Sequence, residues 1–185
     1  MIIGVSGKSG SGKSVVSNYL ASCLGCKWID VDRYAKEIRE EYKSDIIQLI
    51  NVDDIVDDKG NIDSKLLGRI LFNDKELMEK YNLFIYSKLK VIIKELVDKY
   101  ENVVIDTIFL PIMDVFYECN YKFLVVCDDE LRKERLSLRD DISLDYIEKR
   151  DVNGLSYSEA EFDFVIDNSK DYKLIIDEII TKIKS

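Results

Sequence analysis

The stretch that most limits what this chain can become is Gly7–Ser14, which reads G-K-S-G-S-G-K-S. A short β-branched run, MIIGV, precedes it, and KSVVSNYLASCL, with Val15, Val16, Leu20 and Leu24 at helical spacing, follows from Lys13. The order is therefore strand, glycine loop, helix. Glycine is costly in ordered backbone unless the chain needs unusual angles or something must come close to it. In this context G-x-x-x-x-G-K-[ST] is a phosphate-binding loop. The N–H groups from Gly7 through Lys8, Ser9, Gly10 and Ser11 to Gly12 are expected to turn inward on phosphate oxygens. The helix N-terminus adds partial positive charge. Lys13 is expected to reach the outer phosphates of a nucleoside triphosphate, and the Ser14 hydroxyl to ligate Mg²⁺. A flexible Gly/Ser linker would not sit flush between a buried strand and an amphipathic helix. Lys8 is either a further phosphate contact or a solvated loop lysine.

The chain has 185 residues, enough for one domain with a core and an inserted subdomain. Hydrophobic residues make up 46% and charged residues 34%, the balance of a soluble globular protein. With no apolar run of bilayer length and no basic leader before the first strand, a cytoplasmic location is expected. The formal net charge of −9 repels nucleic acid and anionic membranes, so neither is an expected partner. Small-molecule substrates and a monomer or weak oligomer are expected instead. A nucleotide must then meet a local positive island, which makes the positions of arginine informative. The chain has no histidine, which removes Ser-His and Cys-His nucleophile schemes. Cys23 and Cys26 form a lone C-x-x-C at the end of a helix, with no second pair at metal-binding spacing, and read as packing residues.

Five short apolar runs read as strands: Ile2–Ser6, Lys27–Val31, Asn102–Asp106, Lys122–Cys127 and Asp163–Asp167. Helical patterns separate them, which predicts a five-stranded parallel sheet with helices on both faces. The fold class is α/β: a P-loop three-layer sandwich with a helical acceptor subdomain and a lid. The core is assigned to 1–53, 101–127 and 163–185. A helical insertion is expected over 54–100, opening with the turn DDKGN, and a polar helical lid over 128–162. The last helix is DYKLIIDEIITKIKS, and Pro111 follows the third strand.

Ligands of parallel sheets sit at the carboxyl ends of the strands. There the second run gives Asp30 and Asp32 in WIDVDR, and the third gives Asp106 in VVIDT. Strand alternation would put Asp30 and Asp32 on one side, with Val31 opposite. Asp106 is placed to hold Mg²⁺ or its waters, or to face the acceptor. Asp32 is placed to orient an acceptor hydroxyl and take its proton, and a loose phosphoryl-transfer transition state asks little of that base. Helix capping is the alternative role for either carboxylate. Arg132, Arg135 and Arg139 share one helical face by their spacing. They read either as a solvated, salt-bridged face or as lid arginines that close on phosphates. Arg150 is a weaker candidate, and Lys65 and Arg69 are candidates on the acceptor side.

The sequence resembles dephospho-coenzyme A kinases over almost its full length. The resemblance rests on MIIGVSGKSGSGKSVVSNYL, WIDVDRYAKEI, DDKGNIDSKLLGRILFND, VVIDTIFL, RKERLSLRDDIS and FDFVIDNSKD. It implies transfer of a phosphoryl group from ATP to the ribose 3′-hydroxyl of dephospho-coenzyme A. It further implies Gly7–Ser14 and the adjoining Val15 on ATP, Asp32 at the acceptor hydroxyl, Arg139 with Arg135 in the lid, and the Asn168 region beside adenine. The chain departs from that family's pattern at Ser64, Ile85–Tyr86, Ile108–Ile112, Arg132 (where a lid-helix glutamine is usual) and Gly154 (where a second glutamine is usual). Most departures fall on the acceptor side. A kinase of another small hydroxyl compound, such as a nucleoside or nucleotide, also fits the residues. A non-catalytic nucleotide-binding regulator would need neither Asp32 nor Arg139.

Overall fold

In the computed structural model, residues 1–52, 55–57, 60–152 and 155–184 are described. The N-terminal run forms β1 (Ile2–Ser6) at the centre of an all-parallel sheet ordered β2-β3-β1-β4-β5. The other strands are β2 (Lys27–Asp30), β3 (Val103–Asp106), β4 (Tyr121–Val126) and β5 (Phe164–Asp167), each within a residue of its predicted bounds. Their runs are almost continuously apolar because the sheet is covered on both faces. Ile3 and Val5 alternate with Gly4 and join Val16 and Leu20 of α1 (Lys13–Leu24) and Ile176 of α8 (Tyr172–Lys184) in one core with Phe123 and Val125. Burying each such side chain fully is worth about 1.5–3 kcal/mol. Cys23 and Cys26 pack half-buried against this core, as free thiols. On the opposite face, a Cβ at Gly4 would stand 2.6 Å from Leu110 and 2.8 Å from Cys119. Glycine there lets the 3₁₀ turns Leu110–Ile112 and Asp114–Glu118, between β3 and β4, lie directly on β1.

The chain divides into two compact units: Met1–Asp30 with Val97–Ser185, and Val31–Leu96. The second holds α2 (Val31–Glu41), α3 (Lys43–Ile50), α4 (Ser64–Asn73) and most of α5 (Lys75–Lys99). It begins earlier than the insertion expected over 54–100, because α2 and α3 group with the later helices rather than with the sheet. Ile38, Ile46, Leu67, Ile85 and Leu89 are among its buried residues. The Tyr42 ring meets Phe84 edge-on, with the Lys88 ammonium 4.4 Å from the Tyr42 centroid, so the start of α3 is tied to α5. Asp63 caps α4 by accepting from the N–H groups of Lys65 and Leu66. Asp58 and Lys59 of the DDKGN turn, Gly154 and the Arg150 side chain lie outside the described residues. The expected lid comprises α6 (Asp129–Asp140), α7 (Leu144–Val152) and a 3₁₀ turn, Glu159–Glu161, all within the first unit. Among the described residues, no helix is long and apolar enough to cross a membrane.

Candidate active site

The loop leaves β1 at Ser6, whose buried hydroxyl donates to the Thr107 carbonyl at 2.9 Å and so joins the ends of β1 and β3. Two glycines carry the close turns. Gly7 has φ +144°, and a Cβ there would lie 2.2 Å from the Val125 carbonyl oxygen. Gly12 has φ +86°, and its Cβ would lie 2.0 Å from Nδ2 of Asn168. A side chain is excluded at both positions by angle and by space. Asn168, just past β5, donates that amide to the Ser11 carbonyl at 2.8 Å, while its own N–H donates to Val126 at 2.8 Å. Ser11 N–H closes onto the Lys8 carbonyl at 3.1 Å. The Lys13 side chain is folded back over the loop: the residue is only 7% exposed, and its ammonium donates to the same Lys8 carbonyl at 3.5 Å.

The start of α1 differs from the starts of α4 and α6. Asp63 and Asp128 cap those two helices, whereas no side chain caps α1 at Gly12 and its first turn has no acidic residue. A helix start without a carboxylate keeps its N–H groups and its dipole for an anion. Ser14 and Val15 are exposed in this first turn, and Lys8 is exposed on the loop. The loop residues from Gly7 to Ser14 thus come together between β1 and α1, with Lys13 folded over them and Asn168 holding the Ser11 carbonyl.

The carboxylates divide differently from the expectation. Asp30 and Asp106 sit opposite each other in the β2–β3 register, and Asp106, 3% exposed, also pairs in register with Val5. Asp32 does not continue this strand. β2 ends at Asp30 and α2 begins at Val31, so alternation does not place Asp32 beside Asp30; it lies exposed in the first turn of α2. Val31 is β-branched and reads as strand, but it is a buried helical residue. Ser14 with Asp106 or Asp30 offers the hard oxygen ligands that Mg²⁺ prefers. Among the described residues no cluster of three or more His, Cys, Asp or Glu could hold a metal. Mg²⁺ in such kinases needs only one or two protein oxygens beside the substrate's phosphates, and a Ser14 hydroxyl with one carboxylate is a donor set of that kind. Lys65 and Arg69 lie exposed on α4.

The three arginines of α6 differ in burial and in partners. Arg132 is 2% exposed and points inward, donating Nη1 to the Ser9 carbonyl at 3.2 Å and Nη2 to Asp129 at 2.7 Å. Asp151 of α7 takes both its Nη groups. Burial opposes the charge on Arg132, but the Asp151 and Asp129 hydrogen bonds outweigh it and raise the pKa; the Arg132 hydrogen bond in turn holds Asp129 below the usual carboxylate range. Arg135 is half-buried, with Nη1 3.8 Å from where a Gly12 Cβ would stand. Arg139 is exposed and forms a bidentate pair with Asp140, at 2.7 Å for each bond. Sequence reasoning missed two residues here: Asp151, the partner of Arg132, and Tyr157, beside the loop. The Tyr157 hydroxyl reaches the Ile108 carbonyl at 2.8 Å and the Gly7 carbonyl at 3.3 Å. Neither lies in a motif; an acidic residue in a polar helix and a tyrosine in a loop carry no periodic signal.

A family model described as dephospho-CoA kinase matches residues 1–173. The chain belongs to the dephospho-CoA kinase family. Among its relatives, the dephospho-CoA kinase of Fusobacterium nucleatum is 38% identical over 177 residues, covering 91% of this chain and 90% of the relative. That of Shouchella clausii is 29% identical over 178 residues, covering 91% and 90%. A solved Thermus thermophilus structure superposes with a TM-score of 0.79 at 22% identity, covering 99% of this chain and 95% of the other. The dephospho-CoA kinase of Campylobacter jejuni does so at 0.61 and 23%, covering 98% and 96%. These structures share the P-loop kinase fold. Family membership makes this chain a kinase that draws its phosphoryl group from ATP.

Proposed function

We propose that the chain transfers the terminal phosphoryl group of ATP to the ribose 3′-hydroxyl of dephospho-coenzyme A, giving ADP and coenzyme A. The observation that carries the reading is the loop itself: glycines at positive φ, Lys13 folded back over it, and an α1 start that no side chain caps. Loop N–H groups and Lys13 hold the β- and γ-phosphates. Asp32 accepts the proton of the attacking hydroxyl as the new O–P bond forms and the bond to the β-phosphate oxygen breaks. Arg139, released from Asp140, and Arg135 meet the charge on the transferring group. Mg²⁺, when bound by the Ser14 hydroxyl with Asp106, draws charge from the phosphate oxygens. The other expected ATP contacts, Lys8, Val15 and Asn168, line or brace the same loop, and Lys65 and Arg69 are assigned to the acceptor.

The test is ADP formation by purified protein with ATP and Mg²⁺, with and without dephospho-coenzyme A, beside a panel of nucleosides and nucleotides. Mass spectrometry follows the acceptor. Acceptor-dependent ADP with one phosphate added to dephospho-coenzyme A is expected. Transfer to a nucleoside instead, or ATP binding without any transfer, would overturn the reading.

A further inference from the structure

Two side chains outside the loop take two alternate carbonyls of the loop. Arg132 donates to Ser9 at 3.2 Å and Asn168 to Ser11 at 2.8 Å. They come from separate places, the first turn of α6 and the turn after β5. A trans peptide is planar, with its C=O and the next N–H pointing in opposite directions. Holding the carbonyls of Ser9 and Ser11 from outside therefore directs the N–H groups of Gly10 and Gly12 the other way. We propose that Arg132 and Asn168 are positioning residues that preset these two peptide planes, so that the loop is organised for phosphate before ATP arrives.

Arg132 is the charged one of the two braces. A buried guanidinium is costly unless its charge is met, and here Asp129 and Asp151 meet it. The packing leaves no slack. A Cβ on Gly10 would lie 3.0 Å from the Arg132 carbonyl oxygen and 2.7 Å from Leu136, so the middle of the loop is pressed onto α6. Asp151 is the counter-charge that makes arginine tolerable at this buried place. Binding benefits because ATP need not organise the loop as it docks, and the cost of ordering falls on folding instead.

The inference rests on the reading of this loop as the ATP site, and its test separates the two. Two double variants both remove the buried charge pair, Arg132→Met with Asp151→Leu and Arg132→Gln with Asp151→Leu. Only the second keeps a donor for the Ser9 carbonyl. For each, KM for ATP, kcat, KM for dephospho-coenzyme A, the Kd for MgATP and the melting temperature are measured. The methionine double is expected to raise the Kd and KM for ATP about tenfold, the value of one hydrogen bond, with kcat and the acceptor KM close to wild type. The glutamine double is expected to recover most of that loss at a similar melting temperature. Equal ATP affinity in the two doubles, or losses that follow melting temperature alone, would overturn the proposal and leave the ATP site standing. Wild-type protein that fails to bind MgATP would overturn both.

Discussion

The two compact units hold their candidate functional groups in opposite ways. In the sheet-containing unit, Lys13, Asp106 and Arg132 are buried, and the loop backbone is gripped on several sides. In the Val31–Leu96 unit, Asp32, Lys65 and Arg69 stand exposed on helices whose buried faces are apolar. The first arrangement suits recognition of a triphosphate, whose shape and charge never vary, by groups that cannot move. In the second, the candidate side chains can change without disturbing a core. Ser64 opens α4 behind the Asp63 cap at an exposed position, and Ile85 is a buried packing residue of α5.

Substituting one group in each unit tests this contrast with the largest effects. Lys13→Ala is expected to lower kcat/KM by about 10²–10³, the usual loss of one preorganised electrostatic contact, and to weaken ATP binding as well. Asp32→Asn is expected to lower kcat by about 10²–10⁴, as removal of a general base does, while the Kd for ATP holds. Calorimetric ATP titration beside steady-state rates distinguishes the two patterns. If Asp32→Asn weakened ATP binding as much as Lys13→Ala, the division of labour would fail.

Smaller effects sharpen the contrast. Tyr157→Phe removes the hydroxyl that donates to the Ile108 carbonyl and lies 3.3 Å from the Gly7 carbonyl, and is expected to raise KM for ATP about three- to tenfold, with little change in KM for the acceptor. Lys65→Ala combined with Arg69→Ala should do the reverse, raising the acceptor KM by about two- to fivefold, in line with exposed charges, and leaving the ATP KM alone. Substrate-saturation curves for each compound read both.

The smallest effect concerns the sheet unit's stability alone. Burial pushes the Cys119 thiol up to about 12, and it donates to the Val115 carbonyl at 3.2 Å. An unfolded thiol ionises at about pH 8.5. Below that value both states keep the proton; above it only the unfolded chain loses it, so stability falls as pH rises toward 12. Cys119→Ala should flatten part of that alkaline decline in urea-unfolding midpoints, and an unchanged slope would count against the buried thiol.

Much of the sheet unit was legible because its signals are local. β-branched runs covered on both faces read as strands, and the loop's glycines are demanded by angles that only glycine adopts easily. Asp32 was legible as a residue but not in its setting, since Val31 has strand propensity and yet starts a helix. The arginines of α6 show the limit most clearly. Their spacing put Arg132, Arg135 and Arg139 on one face, but spacing cannot say which way a face looks or how far round the helix a long side chain reaches.

The sequence by itself determined the phosphate loop, the strand order of reading along the chain and the family, because each depends on neighbours within a few residues or on the whole string. The tertiary structure decided who holds the loop. Asn168 is 157 residues from its carbonyl partner, and Arg132 is 123 from its own. A hydrogen bond needs a donor within about 3 Å of an acceptor. Across such separations only the packing of β4, β5 and α6 around β1 sets that distance, and no pattern in the chain records it.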